Sequence, residues 1–236
     1  MSAQKSPAIS PRTLQFLKKL AANNNRDWFN ANKHLYEDAH ANMLEFVSEL
    51  LAQMNKHDKI STDNPKRALY RIYSDTRFHK NRPPYTARFA AGFGREKPFL
   101  RGGYNLVIKP GNSYVSCGFY GPSNDDLKRV RMDIVHNHED WYKILHARKF
   151  KTHFGPMLGD AVKTAPQGFP KDHPGIELLR HKQFFFRHHF TDKEVTAPGF
   201  LKQVNESFKN IRPWFDYMSE VLTTDVNGES IIGTRK

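Results

Sequence analysis

Apolar positions recur along this chain with two different periods, and the changes of period divide it into sections. Ser10-Pro11 reads as an N-cap and a first-turn proline. Leu14, Leu17 and Leu20, with Phe16, then predict a short amphipathic helix. Asn23-Asn24-Asn25 breaks it, and a second helical stretch opens with Asp27, Trp28 and Phe29. A third is predicted from His34 to Met54, where Leu44, Val47, Leu51 and Met54 fall at helical spacing with Leu50 beside them. Asn64-Pro65 reads as the end of this section.

The period then falls to two. Ala68, Tyr70 and Ile72 alternate with Arg67, Leu69, Arg71 and Tyr73, which predicts a first strand. Phe89, Ala91 and Phe93 alternate again. Tyr104, Leu106 and Ile108 lead into Pro110-Gly111-Asn112, and Val115, Cys117 and Phe119 return, so residues 104–120 are read as a hairpin. Gly121-Pro122-Ser123 stops the last of these strands. Ser123 caps a helix with Asp125 and Asp126 in its first turn and Leu127, Val130 and Ile134 along one face. Trp141, Ile144 and Leu145 mark a further helix, and residues 150–175 read as irregular. Glu177 to His181 predicts a helical turn and Gln183 to Phe190 a fifth strand. A C-terminal helix carries Phe200, Leu201, Val204, Phe208 and Ile211, with Pro213 kinking it or starting a new one.

Helices, then strands with short connections, then helices again predict an α+β fold. The expected architecture is an antiparallel sheet of about four to five strands flanked by N-terminal and C-terminal helices. A single domain is expected over residues 1–236, with mobile tails at 1–9 and 223–236. A doubly wound sheet is disfavoured, because no G-x-G-x-x-G or Walker pattern is present and helices do not separate the strands.

Composition narrows the partners. No apolar run approaches the roughly 20 residues needed to span a bilayer, so no membrane partner is expected. Cys117 is the only cysteine, which suits a reducing cytoplasmic setting. The formal net charge is +13. From Arg67 to Lys109 there are ten Lys or Arg against two acids, Asp75 and Glu96, so this stretch carries more than half of the excess. Such a face suits phosphate-bearing or carboxylate-bearing ligands.

Chemistry is densest from Arg71 to Tyr85, which holds four cations, one carboxylate and three aromatics. If the first strand continues past Tyr73, then Arg71, Tyr73, Asp75 and Arg77 share one face. A carboxylate between two arginines fixes both guanidinium groups by charge-assisted hydrogen bonds. Asp75 is therefore expected to be an ionised orienter, not a general base. His79, Lys80 and Arg82 precede the stiffening Pro83-Pro84, and Tyr85 is expected to bury its ring. Arg131 falls inside the apolar stripe between Leu127 and Ile134, so it needs a partner, and a carboxylate such as Asp75 is the expected one. The candidate ligand-binding set is Arg71, Asp75, Arg77, Lys80, Arg82, Tyr85 and Arg131.

This stretch resembles the conserved hypothetical proteins of domain-of-unknown-function family 2461. Their signature reads Arg-x-x-Arg-Asp-x-Arg-Phe-x-x-x-Lys-x-x-Tyr. Arg71, Asp75, Arg77, Phe78 and Tyr85 match it; Ser74 replaces the second Arg and Arg82 the Lys. The likeness extends to Asn24-Asn25-Arg26-Asp27-Trp28-Phe29, Gly103-Tyr104, Gly118-Phe119-Tyr120, and Pro166-Gln167-Gly168-Phe169 before Asp172-His173-Pro174. It covers the chain from about residue 14 to about residue 215. The resemblance implies no particular reaction. Ser74 removes one cation of the pattern, and Arg82 keeps a charge while changing its donor geometry.

Other signals are weaker. His136-Asn137-His138 spells a nuclease motif but ends a helix, without the hairpin such a motif needs. A metal site from His173, His181 and either His188 or His189 lacks a recognised spacing. Cys117 reads as a buried strand residue with no base nearby. The Gly118–Ser123 corner could cradle phosphate, but Asp125 and Asp126 would repel it. No cofactor is indicated. Three functions remain in competition: a pocket for a small acidic ligand, sequence-tolerant nucleic-acid binding through the basic charge and Tyr73, Phe78 and Tyr85, and a motif that only braces the fold.

Overall fold

A computed structural model describes residues 7–75, 82–225 and 227–233. The elements in chain order are helices α1 (Pro11–Ala22), α2 (Arg26–Ala31), α3 (Lys33–Met54) and α4 (Pro65–Ala68), then strands β1 (Phe89–Gly94), β2 (Gly103–Ile108) and β3 (Ser113–Phe119). Helices α5 (Asn124–His146), α6 (Arg148–Phe154) and α7 (Ile176–Leu179) follow, then β4 (Phe184–Phe190), α8 (Asp192–Val195), α9 (Phe200–Asn210) and α10 (Arg212–Thr223). The four strands form one open antiparallel sheet in the order β1-β2-β3-β4, so the fold is α+β as expected.

The helix starts follow local chemistry. The Ser10 hydroxyl accepts from the Arg12 N–H with Pro11 at the first position of α1, and the Ser123 hydroxyl accepts from the Asp126 N–H at the start of α5. Asn137 leaves helical geometry inside α5 (φ −129°, ψ 27°), so this long helix is two segments joined at a kink, close to the expected division. Pro213 sits in the first turn of α10 and starts a new helix; it does not kink an old one. Helix α6 reaches into the stretch expected to be irregular. Helix α8 was not expected; Thr191 and Glu194 cap it reciprocally.

One predicted strand is corrected. Asn64-Pro65 is a start signal, not a stop: the Asn64 side chain accepts from the Lys66 N–H and opens α4. The expected strand from Arg67 to Tyr73 reduces to isolated antiparallel bridges, Leu69 with Ala91 and Tyr73 with Tyr85. The alternation holds only in its second half, where Ile72 is buried between exposed Arg71 and Tyr73; nearer α4, Leu69 is buried beside Ala68 and Tyr70 is exposed, against the expected pattern.

The chain forms two compact units. One comprises residues 7–93, 105–115 and 189–206, and the other residues 94–104, 116–188 and 207 onward. In the first, α1 packs on α3, and Phe16 faces Phe89 while Phe46 and Phe190 meet Phe200. Ile9 is fully buried, and the Ala8 carbonyl accepts from the Asn42 amide at 2.9 Å, which ties this end of the chain to α3. In the second unit, α10 packs on α5. The Trp141 and Trp214 rings meet edge to face at 4.9 Å, and Phe186 adds a third ring at 5.4 Å from Trp214.

Candidate functional site

Two sequence blocks far apart in the chain meet in the first unit. The Asn24 side chain clamps the backbone of Tyr85 from both sides: its Nδ2–H donates to the Tyr85 carbonyl at 2.8 Å and its Oδ1 accepts from the Tyr85 N–H at 3.1 Å. Phe29 stacks on the Tyr85 ring with centroids 4.1 Å apart, and Tyr73 approaches the same ring at 5.5 Å. Tyr85 is 6% exposed and Tyr73 52%. Burial, and next the Tyr73 hydroxyl, push the Tyr85 phenol above its ordinary range, while the Arg26 guanidinium opposes them. Tyr85 is therefore a neutral, held ring, and Tyr73 presents the accessible one.

Backbone pairing closes the base of the loop. The Ser74 N–H donates to the Pro84 carbonyl at 2.9 Å, and the Thr86 N–H and hydroxyl both donate to the Ile72 carbonyl. Above this base lies an open pocket of about 480 Å³, lined among others by Tyr73, Asp75, Arg82, Tyr85 and Arg88. Arg82 and Arg88 are exposed, and neither guanidinium makes a hydrogen bond or ion pair with another described residue. Two guanidinium groups and one carboxylate thus share a pocket with an aromatic wall.

The expected site residues divide accordingly. Asp75, Arg82 and Tyr85 are brought together. Arg71 is exposed on the same side of its segment as Tyr73 and Asp75 but is not part of the pocket wall. Arg77 and Lys80 lie outside the described residues, as do Phe78 and His79. Arg131 belongs to the second unit, and its expected carboxylate partner is replaced by carbonyls. Its Nε–H donates to Leu179 O at 3.1 Å and an Nη2–H to His181 O at 3.4 Å, with the guanidinium 5.9 Å from the Phe169 ring centre. The carbonyls left over at the end of α7 satisfy the cation, which burial alone would disfavour. Arg88 was not singled out from the sequence; its place three residues after Tyr85 was the available signal.

The basic stretch is not uniformly available. Arg95 is fully buried: its guanidinium donates to Asp216 Oδ1 at 2.9 Å and to Arg101 O at 3.0 Å, and lies 5.2 Å from the Phe215 ring centre. Arg101 pairs with Asp126 in the first turn of α5. That pairing also places a cation beside the Gly118–Ser123 corner, whose helix N-terminus is already capped by Ser123.

The histidine cluster is arranged for structure. His173 Nδ1 accepts from the Gly175 N–H at 2.9 Å, so its Nε2–H donates to Val135 O at 3.1 Å and no lone pair remains for a metal. His188 Nδ1–H donates to His153 O at 2.7 Å. Among the described residues, no group of three or more His, Cys, Asp or Glu could hold a metal ion. Cys117 is buried, which pushes its thiol well above the ordinary range and leaves it protonated. Among the described residues no helix is long and apolar enough to cross a membrane.

These observations define an α+β protein whose two motif blocks build an aromatic floor beneath two arginines whose guanidinium groups have no partner among the described residues. The model of the conserved hypothetical protein family DUF2461 matches residues 12–217, and the chain belongs to that family. No curated protein and no solved structure matches the chain.

Proposed function

We propose that the pocket around Tyr73, Arg82 and Arg88 binds a small acidic ligand carrying a phosphate or carboxylate. The observation that carries this reading is the pair Arg82 and Arg88, whose guanidinium groups have no partner among the described residues, on one pocket of about 480 Å³. Pockets for small molecules occupy about 300–1,000 Å³, so a mononucleotide or a sugar phosphate is the right scale. Guanidinium forks match phosphate and carboxylate oxygens two at a time. The half-exposed Tyr73 ring offers a face for a base or sugar, and the ring beneath it is held by Asn24 and Phe29. Asp75 on the same wall opposes a second negative charge nearby, which favours a compact acidic group held toward the arginines.

Thermal-shift screening against nucleoside monophosphates and sugar phosphates tests the reading. A stabilising ligand should lose its effect in Arg82→Ala/Arg88→Ala, since binding to the native state raises stability with ligand concentration. A ligand that stabilises this double variant equally, or an empty screen, removes the proposal. Binding of single-stranded oligonucleotides with a steep salt dependence, but of no mononucleotide, would replace it with nucleic-acid binding.

A further inference from the structure

The second unit contains a separate pocket of about 430 Å³ that the acidic-ligand reading does not use. It lies where the end of α5, the start of α6, the end of α9 and the first turns of α10 come together. Ile144, Phe150, Pro213 and Tyr217 make its walls apolar. The Tyr217 hydroxyl donates to Asp133 Oδ2 at 2.8 Å, so this residue contributes a ring whose polar end is already engaged.

The charged lining is one-sided. Lys143, Lys149 and Lys209 line the pocket against a single carboxylate, Asp140. Lys143 and Lys149 are exposed and form no ion pair with another described residue. Lys143 and Lys209 stand in the last turns of α5 and α9, where they also complement the helix dipoles. Lys149 has no such role, because it opens α6, where a cation is unfavourable. Asn210, also in the lining, buries its Oδ1 with no hydrogen-bond partner among the described residues. A buried acceptor left in this state calls for a donor.

From these features we infer that the pocket is a binding site for an amphipathic organic anion: an apolar aromatic or short-chain body carrying one carboxylate or sulfonate. The apolar walls take the body, and Lys143 and Lys149 take the charge. The site is too apolar for a sugar phosphate, and the first pocket is too polar for an alkyl chain, so the two select different ligands.

The test is titration of the full chain with 1-anilinonaphthalene-8-sulfonate, which combines an aromatic body, one sulfonate and an N–H donor. Saturable fluorescence enhancement is expected from the folded protein. Octanoate should displace the dye and octanol at equal concentration should not. Lys143→Glu/Lys149→Glu should weaken the dye at least ten-fold, as should Ala147→Trp, which places a ring in the pocket from an exposed position. Arg82→Ala/Arg88→Ala should bind the dye unchanged, which separates this site from the first. No saturable signal, equal displacement by octanol, or equal affinity in the charge-reversed variant would each overturn the inference. The octanoate and octanol comparison needs no variant and decides the matter even if a substitution impairs folding.

Discussion

Two arginines seven residues apart in the same basic stretch should respond very unequally to the same substitution. Arg95→Met removes a fully buried guanidinium from a packed environment, whereas Arg88→Met removes an exposed one with no described partner. For Arg95 the losses can be worked from its contacts. The Arg101 carbonyl gives up a donor at 3.0 Å, about 1–2 kcal/mol for a buried acceptor left unpaired. The stacking over Phe215 contributes about 0.5–1 kcal/mol. The ion pair with Asp216 is discounted to about 1 kcal/mol or less, because Asp216 is half exposed and water replaces its partner. Methionine refills part of the volume. The net expectation is a loss of about 2–4 kcal/mol, or a fall in Tm of about 5–15 °C for a chain of this size. Arg88→Met should cost less than about 0.5 kcal/mol. Differential scanning calorimetry of the three proteins reads both effects. Equal losses, or a neutral Arg95→Met, would refute the division of the basic stretch into structural and available cations.

Other expectations concern neighbouring parts of the same framework. Asn24→Ala removes both side-chain bonds to the Tyr85 backbone and should cost about 1–3 kcal/mol in urea unfolding, while weakening any ligand that stabilises the wild type. Gly118→Ala should leave no soluble protein or cost more than about 4 kcal/mol, because at φ +152° a Cβ would meet the Phe184 carbonyl oxygen at 2.3 Å; full expression with an unchanged Tm would refute this. Burial first, then the His188 ring stacked 4.0 Å away and Lys149, hold His153 down to about 4. Its folded value lies below the unfolded one, so no stability is lost above pH 6.5, and stability declines as pH falls from about 6.5 toward 4 while the unfolded chain takes up the proton. For this partly exposed ring the decline is about 1–2 kcal/mol after allowing for screening, and urea midpoints of His153→Gln should show a correspondingly shallower pH slope than the wild type.

Most of the architecture was legible because it depends on local chemistry. The 104–120 hairpin followed from strict alternation around a Pro-Gly turn, and the starts of α1 and α5 from their serine caps. The misread element had an ambiguous local code: Asn-Pro reads equally as a helix stop or a helix start, and here it opens α4 ten residues after α3 has ended, while among the described residues the segment after it is bridged at Leu69 and Tyr73. At the candidate site, Asp75, Arg82 and Tyr85 were legible as a dense cluster, but the clamp from Asn24 crosses 61 residues and leaves no periodic trace. Burial of Arg95 was illegible for a related reason, since its partners Asp216 and Ser219 lie more than a hundred residues away. Arg131 was recognised as a misplaced charge, yet backbone carbonyls satisfy it, and a carbonyl has no residue type to read.

The matched motif therefore separates into two kinds of residue. Asn24 and Phe29 both contact Tyr85 and build the floor with it, and substitutions there act through the fold. Ser74 and Arg82 line the pocket above it, together with Arg88 just beyond the motif; the two arginines are exposed, so substitution there is cheap in stability and decisive for charge. The departures of this chain from the family pattern fall in that second group, at Ser74 and Arg82. A position that only braced the loop would tolerate poorly the exchange of an arginine for a serine, because the braced carboxylate would lose its partner. A rim position tolerates the same exchange and changes what the pocket can hold. On the proposed reading, the floor residues set the shape of the pocket, and Ser74 and Arg82 set part of its charge. Here one cation is removed at Ser74, while Arg82 supplies a forked donor where the pattern has a point charge.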